Sequence, residues 1–265
     1  MRAQLIRSRV TSRHHRLGSN EINAVIRRAV AGDSIALLGM DRLERAGVSD
    51  VKAVVERVWG WNGKSAEVTL DPDKTLAGLR AGHDRVLDVA ARGGRVAFAT
   101  TRPALLPFYE LAAATALDAG ARVLTAEQSE PVPLAGYRRA RLWWLGDVAV
   151  VSDGEGIVSD PAVGAFEALE QEVLLPDLVV ADRGFAAGAA QAGIEVVALA
   201  DVDALVLGVA ATRGLPVTVV PINERRAPAD YEALARAWRA HGGEESDTVE
   251  PAALDDPGDF PTSPT

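Results

Sequence analysis

Three apolar runs in the second half of the chain each end on polar side chains. They cover residues 177–181, 194–200 and 215–220, and an Asp, Asn or Glu follows each within a few positions. The runs are rich in β-branched residues and are separated by segments of helical length, which is typical of parallel strands alternating with helices. Such sheets bind ligands at the carboxyl ends of their strands. The pattern therefore predicts the place of a binding site better than it predicts a reaction.

Further apolar runs extend the same sheet toward the N-terminus. Residues 95–100 and 121–125 are predicted strands, and the helix predicted between them completes a β-loop-α-β unit. Residues 141–145 and 148–152 fit either an antiparallel pair or one strand with a bulge. We therefore predict an α/β fold with an open, mostly parallel Rossmann-like sheet and helices on both faces.

The N-terminal third is predicted to be mainly helical. Apolar residues recur there at i, i+3 and i+4 spacing, so residues 1–31 are predicted to form a helical segment. Residues 34–39 fit either a first strand or the buried start of a helix. We expect residues 1–90 to pack on a parallel α/β core formed by residues 91–242.

The acidic charge of the protein is concentrated at its C-terminal end. The formal net charge is −9, but seven acids and no basic residue lie from residue 243 onward, so the rest of the chain carries −2. The same segment contains four prolines and few apolar residues. Such a composition cannot bury enough apolar surface to offset the entropy lost on ordering. Residues 243–265 are therefore predicted to be a disordered acidic tail.

Composition excludes several classes of protein. No apolar run reaches the roughly 18 residues of a membrane-spanning helix, and the chain does not begin with a signal-like apolar segment. The chain has no cysteine, which rules out disulfides and thiolate metal sites and is consistent with a cytoplasmic location. The basic residues near the N-terminus are not interleaved with aromatic ones, so nucleic-acid binding is not expected. Neither a P-loop nor another nucleotide-cofactor motif is present.

The loop after the strand at 95–100 is a candidate anion site. Thr100, Thr101 and Arg102 lie between a strand and a helix, where backbone N–H groups and the helix dipole attract negative charge. Two hydroxyls and a guanidinium provide the donors that bind phosphate. The alternative is a simple capping turn with Arg102 in solvent.

A second candidate segment follows the strand at 177–181. Asp182 could orient a water or hold a divalent cation, and Arg183 could add a donor for phosphate. Gly184 and Gly188 would let a ligand approach the backbone. The alternative, which is compatible with such a role, is that Asp182 caps the following helix, as aspartate does well.

A pair of carboxylates follows the strand at 194–200. Asp201 and Asp203 could bind Mg²⁺ through their oxygens. The alternative is that they accept hydrogen bonds from N–H groups at the start of a helix.

Several of these segments resemble a family of actinobacterial proteins of about this length that are named phosphatase. The resemblance extends over most of residues 5–240 and is carried by residues 98–103, 106, 108–109, 120–125, 178–188, 199–203, 221–226 and 231. Where those relatives have a loop similar to Gly-Thr-Gly-His-Pro, this chain has Thr101 and Arg102 in place of Gly and His. If that His were the phosphoacceptor or the acid, its loss would leave an anion-binding protein with altered or absent hydrolysis. Arg102 keeps the positive charge but cannot accept a proton at neutral pH.

The residues and the resemblance together favour a phosphomonoester hydrolase that acts on a small phosphorylated metabolite. The expected catalytic residues are Asp182 and Asp201, the expected phosphate ligands are Thr100, Thr101, Arg102 and Arg183, and the expected Mg²⁺ ligands are Asp182, Asp201 and Asp203. Two alternatives remain. One is a non-catalytic module that binds or senses an anionic metabolite, and the other is a sugar-phosphate isomerase or lyase in which an Asp accepts a proton.

Overall fold

The structure is a computed structural model of the chain. It describes residues 1–40, 46–126, 132–134, 137, 139–158 and 163–242, and it leaves the side chains at positions 15 and 16 undescribed. The predicted acidic tail, residues 243–265, lies outside the described residues.

The described residues form nine strands and nine α-helices. The strands are β1 (Ser12–Gly18), β2 (Glu67–Leu70), β3 (Arg95–Thr100), β4 (Arg122–Val123), β5 (Arg141–Leu145), β6 (Val148–Ser152), β7 (Leu178–Asp182), β8 (Glu195–Ala200) and β9 (Val217–Pro221). The helices are α1 (Arg2–Arg7), α2 (Ser19–Ala31), α3 (Val48–Trp59), α4 (Pro72–Ala91), α5 (Leu106–Asp118), α6 (Ala165–Glu172), α7 (Arg183–Gln191), α8 (Leu205–Thr212) and α9 (Glu232–His241).

The main sheet has the strand order β5-β6-β3-β7-β8-β9, with β4 beside the beginning of β3. Among the strand pairs described for this sheet, β5 with β6 is the antiparallel one, and the others are parallel. The predicted open, mostly parallel sheet is therefore confirmed. Of the two arrangements left open for residues 141–152, the antiparallel pair is the one that forms.

Helices cover both faces of the sheet, as predicted. Val96 and Phe98 of β3 belong to a buried apolar cluster that also contains side chains of α4, α5 and α9. Ala97 and Ala99 alternate with them and belong to a second cluster with α2, α3, α6, α7 and α8. Residues of a strand point alternately to opposite faces, so each central strand is buried on both sides. In the part of the chain that the structure describes, no helix has the length and apolar character needed to cross a membrane.

Residues 1–31 are not one helical segment, and that prediction is wrong between α1 and α2. The backbone of Arg9 and Ser12 has φ values of 58° and 72°, which an α-helix does not allow. The intervening strand β1 pairs antiparallel with β2, with Ser12 opposite Leu70. Hydrogen bonds to a segment distant in sequence thus override the local helical spacing. The strand also carries His14 into the interior of the protein, where it is 5% exposed.

Residues 34–39 form successive turns rather than the strand or helix start that their apolar run predicts. Leu38 and Gly39 have φ values of 52° and 82°, so neither regular element can continue through them. The turns leave Ile35 54% exposed.

Candidate functional site

Polar residues at the ends of four neighbouring strands meet at one edge of the main sheet. Arg102 follows β3, Asp182 ends β7, Asp201 follows β8 and Glu224 follows β9. Because these four strands are parallel, their carboxyl ends lie at the same edge. Hydrogen bonds join the four segments directly, so residues far apart in sequence form one cluster.

The carboxylate of Asp182 accepts hydrogen bonds from the loop after β3. Its Oδ1 accepts the backbone N–H of Thr101 at 2.9 Å and the Thr101 hydroxyl at 2.8 Å. Its Oδ2 accepts the hydroxyls of Thr100 and Tyr109. The side chain makes no capping hydrogen bond to α7, a helix that the structure describes in full, so the capping alternative is wrong. Burial, together with the nearby charge of Glu224, raises the pKa of Asp182 above its ordinary value.

Asp201 is fully buried and engages both of its carboxylate oxygens. Its Oδ1 accepts a hydrogen bond from the N–H of Val202 at 2.7 Å. Asp201 therefore caps a short 3-10 turn, which is the alternative predicted for this residue. Its Oδ2 lies 2.9 Å from Nε2 of His14 and accepts the N–H of Glu224 at 3.3 Å. Burial is the main cause that raises the pKa of Asp201 above its ordinary value.

Asp203 forms ion pairs instead of capping a helix. Its two oxygens accept hydrogen bonds from Arg183 at 2.8 Å and from Arg225 at 2.7 Å. Burial favours a higher pKa for Asp203, but the two guanidinium groups outweigh it and hold the pKa below its ordinary value. Asp203 is therefore a carboxylate in its charged form at neutral pH.

Arg183 has a strained backbone and a buried guanidinium. Its φ is 41°, in the left-handed region that residues other than glycine seldom adopt, and its side chain is 5% exposed. Burial alone would lower its pKa, but Glu224 and Asp203 raise the pKa of Arg183 above its ordinary value. Strain of this kind persists only where surrounding contacts hold it, and it occurs often at functional sites.

Glu224 connects the cluster and is not among the site residues predicted from the sequence. Its Oε2 accepts hydrogen bonds from Nε of Arg102 at 2.9 Å and from Nε of Arg183 at 2.8 Å. Its Oε1 accepts the backbone N–H of Asp201 at 3.0 Å. The signal available in the sequence was its place just after a predicted strand, which Glu224 shares with Asp182 and Asp201.

A pocket of about 1010 Å³, which we call the arginine pocket, opens above this cluster. Its charged lining residues are Arg28, Arg102, Arg183, Arg225, Arg226, Asp203, Glu224 and Asp230. These five arginines and three acids give the described lining a net charge of +2. Thr100, Thr101, Asp182 and Asp201 do not line the pocket and are 0% exposed, so they lie beneath its wall.

Two acids of the cluster, Asp203 and Glu224, form ion pairs with arginines. Within the described ranges, no group of three or more His, Asp or Glu residues has an arrangement that could hold a metal ion. Arg183 and Arg225 contact Asp203, and Arg102 and Arg183 contact Glu224, so the charge of both acids is balanced within the protein. These residues do not fit a Mg²⁺ site as they stand, and the predicted Mg²⁺ remains a prediction.

Gly184 and Gly188 face a smaller cavity of about 180 Å³ beside α6 and not the arginine pocket. A Cβ atom added at Gly188 would lie 2.6 Å from Cβ of Phe166. The lack of a side chain at this position therefore allows α7 to pack closely on α6.

Comparison with known proteins agrees with the resemblance found in the sequence. A family model described as Phosphatase matches residues 1–240. The chain is also 31% identical over 209 residues to the curated protein Phosphatase SCO2771 of Streptomyces coelicolor, an alignment that covers 75% of this chain and 78% of the relative. With a buried ionic cluster at the carboxyl edge of its parallel sheet and a family match over nearly all described residues, the chain belongs to the Phosphatase family.

Proposed function

We propose that this protein hydrolyses the phosphomonoester of a small phosphorylated metabolite in the arginine pocket. The observation that carries the proposal is the charge of the pocket, which is +2 over its described lining, whereas residues 1–242 as a whole carry −2. A phosphomonoester is close to a dianion at neutral pH, so the lining complements it. The family to which the chain belongs supports the same chemistry.

Arg102, Arg183 and Arg225 are the proposed phosphate ligands. Each lines the pocket, and each is oriented by a carboxylate, Glu224 for the first two and Asp203 for the third. Planar guanidinium groups bind phosphate oxygens through paired hydrogen bonds and do not lose their charge. Phosphoryl transfer depends mainly on such positioning and on stabilisation of negative charge.

Thr100 and Thr101 take an indirect part in this proposal. Their hydroxyls donate to Asp182 and not into the pocket. By fixing the loop after β3, they keep Arg102 at the pocket wall. Asp182 and Asp201, the catalytic residues expected from the sequence, would likewise act from behind the wall by holding Arg102 and Glu224 in place.

Asp203 is the acid best placed to orient the attacking water. It lines the pocket with its side chain 11% exposed, and its lowered pKa keeps it charged. In the proposed reaction the water oxygen bonds to phosphorus as the ester P–O bond breaks. Asp203 orients the water by accepting a hydrogen bond from it, one water proton is released to solvent, and the departing alcohol takes a proton from solvent.

The test is release of inorganic phosphate from a panel of phosphomonoesters, with Mg²⁺ and with EDTA. Arg225→Ala should weaken transition-state binding by about 1.5–3 kcal/mol, because a charge-assisted hydrogen bond is lost. Arg85→Ala is the matched control, since Arg85 forms a surface pair with Glu195 outside the pocket lining. The absence of phosphate release from every ester would contradict hydrolysis.

A non-catalytic binding module is the second candidate. The observation that favours it is that two acids lining the arginine pocket, Asp203 and Glu224, already accept hydrogen bonds from arginines. Inorganic phosphate should then bind, with loss of affinity in Arg225→Ala, while no ester is turned over. Turnover of a sugar phosphate without phosphate release would instead identify an isomerase or lyase.

A further inference from the structure

His14 joins the N-terminal strand to the cluster beneath the arginine pocket. Its imidazole is enclosed, with a side chain that is 0% exposed. The backbone N–H of Leu17 donates to Nδ1 at 3.0 Å, and Nε2 lies 2.9 Å from Oδ2 of Asp201. Because an N–H group points at Nδ1, that nitrogen must be the acceptor of a neutral ring. The proton therefore lies on Nε2, and His14 donates it to Asp201.

Asp201 and Glu224 are tied to each other by two hydrogen bonds in opposite directions. The N–H of Asp201 donates to Oε1 of Glu224 at 3.0 Å, and the N–H of Glu224 donates to Oδ2 of Asp201 at 3.3 Å. The other oxygen of Glu224 accepts from Arg102 and Arg183. Oδ2 of Asp201 thus contacts His14 and also accepts the hydrogen bond from the backbone N–H of Glu224.

We propose that His14 is a positioning residue for the arginine pocket. As the Nε2–H tautomer it fixes the rotamer of Asp201, Asp201 fixes Glu224, and Glu224 directs Arg102 and Arg183 to the pocket wall. The backbone N–H of Asn223 donates to the carbonyl oxygen of Val10 at 2.8 Å. This bond also joins the segment before His14 to the segment that carries Glu224. The ligand affinity expected below rests on the proposed function, whereas the positioning of Glu224 does not.

Two substitutions at this position separate the two hydrogen bonds. In His14→Gln the amide nitrogen lies at about the reach of Nε2, so the donor to Asp201 is retained. In His14→Asn the amide oxygen lies near the place of Nδ1, so the contact with Leu17 is retained and the donor to Asp201 is lost. Both variants lose the imidazole ring and similar packing, so each is the matched control of the other.

The first readout is hydrogen exchange of the Glu224 amide, which needs no ligand. Exchange in His14→Asn should be faster by about tenfold than in wild type, and in His14→Gln by less than about threefold, since only Asn frees Asp201. Equal exchange in the two variants, with both folded, overturns the proposal. A purely structural role of the ring would affect both variants alike.

The second readout is binding of inorganic phosphate by calorimetry. His14→Asn should weaken binding by about tenfold and His14→Gln by less than about threefold, because Arg102 and Arg183 lose their alignment only in the former. Equal weakening overturns the positioning of the arginines. If the wild-type protein binds no phosphate, the proposed function fails, and the exchange measurement still decides the role of His14.

A measurement on the unaltered protein covers the case in which the variants do not fold. Long-range ¹H–¹⁵N correlation of the imidazole at pH 7.5 should show a protonated Nε2 and an unprotonated Nδ1. The opposite tautomer would leave Asp201 without this donor and overturn the proposal.

Discussion

Thr101 donates both its backbone N–H and its hydroxyl to a single oxygen of Asp182, at 2.9 Å and 2.8 Å. Both residues are 0% exposed. The aspartate at the end of β7 therefore holds the loop that follows β3, instead of the helix that follows its own strand. This contact determines where the loop places Arg102.

Thr101→Val should destabilise the protein by about 1–2 kcal/mol, since it removes one donor from a buried carboxylate and keeps the size of the side chain. Urea unfolding at pH 7.5 measures the change. Thr69→Val is the control, because Thr69 is exposed on β2 and a β-branched residue is kept in a strand. Equal stabilities of the two variants would show that the hydroxyl contributes nothing to folding.

Glu224→Gln should destabilise the protein by about 3 kcal/mol or more. It leaves the buried Arg183 and the mostly buried Arg102 without the negative charge they share. The control is Glu232→Gln, whose side chain is 68% exposed and lies 3.6 Å from Arg236, so its loss should cost no more than about 0.5 kcal/mol. A small change in the free energy of chemical unfolding of Glu224→Gln would mean that Asp203 alone balances the charge of Arg183.

Lowering the pH should reduce the free energy of unfolding, because His83 binds a proton less readily in the folded state than in the unfolded state. Burial and the neighbouring His241 lower the pKa of His83, while Asp84 acts in the opposite direction. Below the unfolded-state pKa of about 6.5, the unfolded chain binds the proton more readily than the folded one. The contribution of His83 to stability is therefore present above that pH and is lost as the pH falls through the lower pKa of the folded state.

His83→Phe tests this dependence because it keeps an aromatic ring against Trp238, whose ring centroid lies 5.0 Å from that of His83. Melting temperatures measured from pH 7.5 to pH 5 should fall less in the variant than in wild type. His241, whose pKa is also lowered by burial, supplies part of the slope that remains. Parallel curves would show that His83 does not titrate differently in the folded and unfolded states.

Gly188→Ala should destabilise the protein by about 1–3 kcal/mol through overpacking, since the new methyl group would lie 2.6 Å from Cβ of Phe166. Thermal unfolding provides the measurement. Gly156→Ala is the control, because a Cβ at Gly156 has no described atom within 4 Å. A Gly188→Ala protein as stable as wild type would show that α6 and α7 move apart at little cost.

The main sheet was predictable because its strands are buried on both faces, and their β-branched runs therefore stand out from the helical segments between them. The position of Asp182 and Asp201 at one edge of the sheet was predictable from the parallel arrangement of the strands alone. Strand β1 was not predictable. Its sequence, Ser-Arg-His-His-Arg-Leu-Gly, has neither apolar alternation nor β-branched residues, and pairing with β2 stabilises it.

Glu224 and His14 are among the site residues that were missed, and for a related reason. Glu224 is one of 37 acids in the chain, and its burial depends on Arg102 and Arg183, which belong to two other loops. His14 lies in the strand that the local pattern predicted as helix. Glu224 and His14 belong to the site because of contacts between segments far apart in sequence. A local sequence pattern does not predict such contacts.

The lining of the arginine pocket comes from positions as far apart as Val25 and Asp230. The complete surface therefore exists only in the folded chain, and a ligand that fills it binds the native state and not the unfolded one. By mass action, a ligand at a concentration 100 times its Kd adds about 2.7 kcal/mol to the free energy of unfolding. A thermal-shift screen of metabolites can thus identify the natural ligand before any reaction is known, and it works equally for a substrate and for an effector that is never turned over.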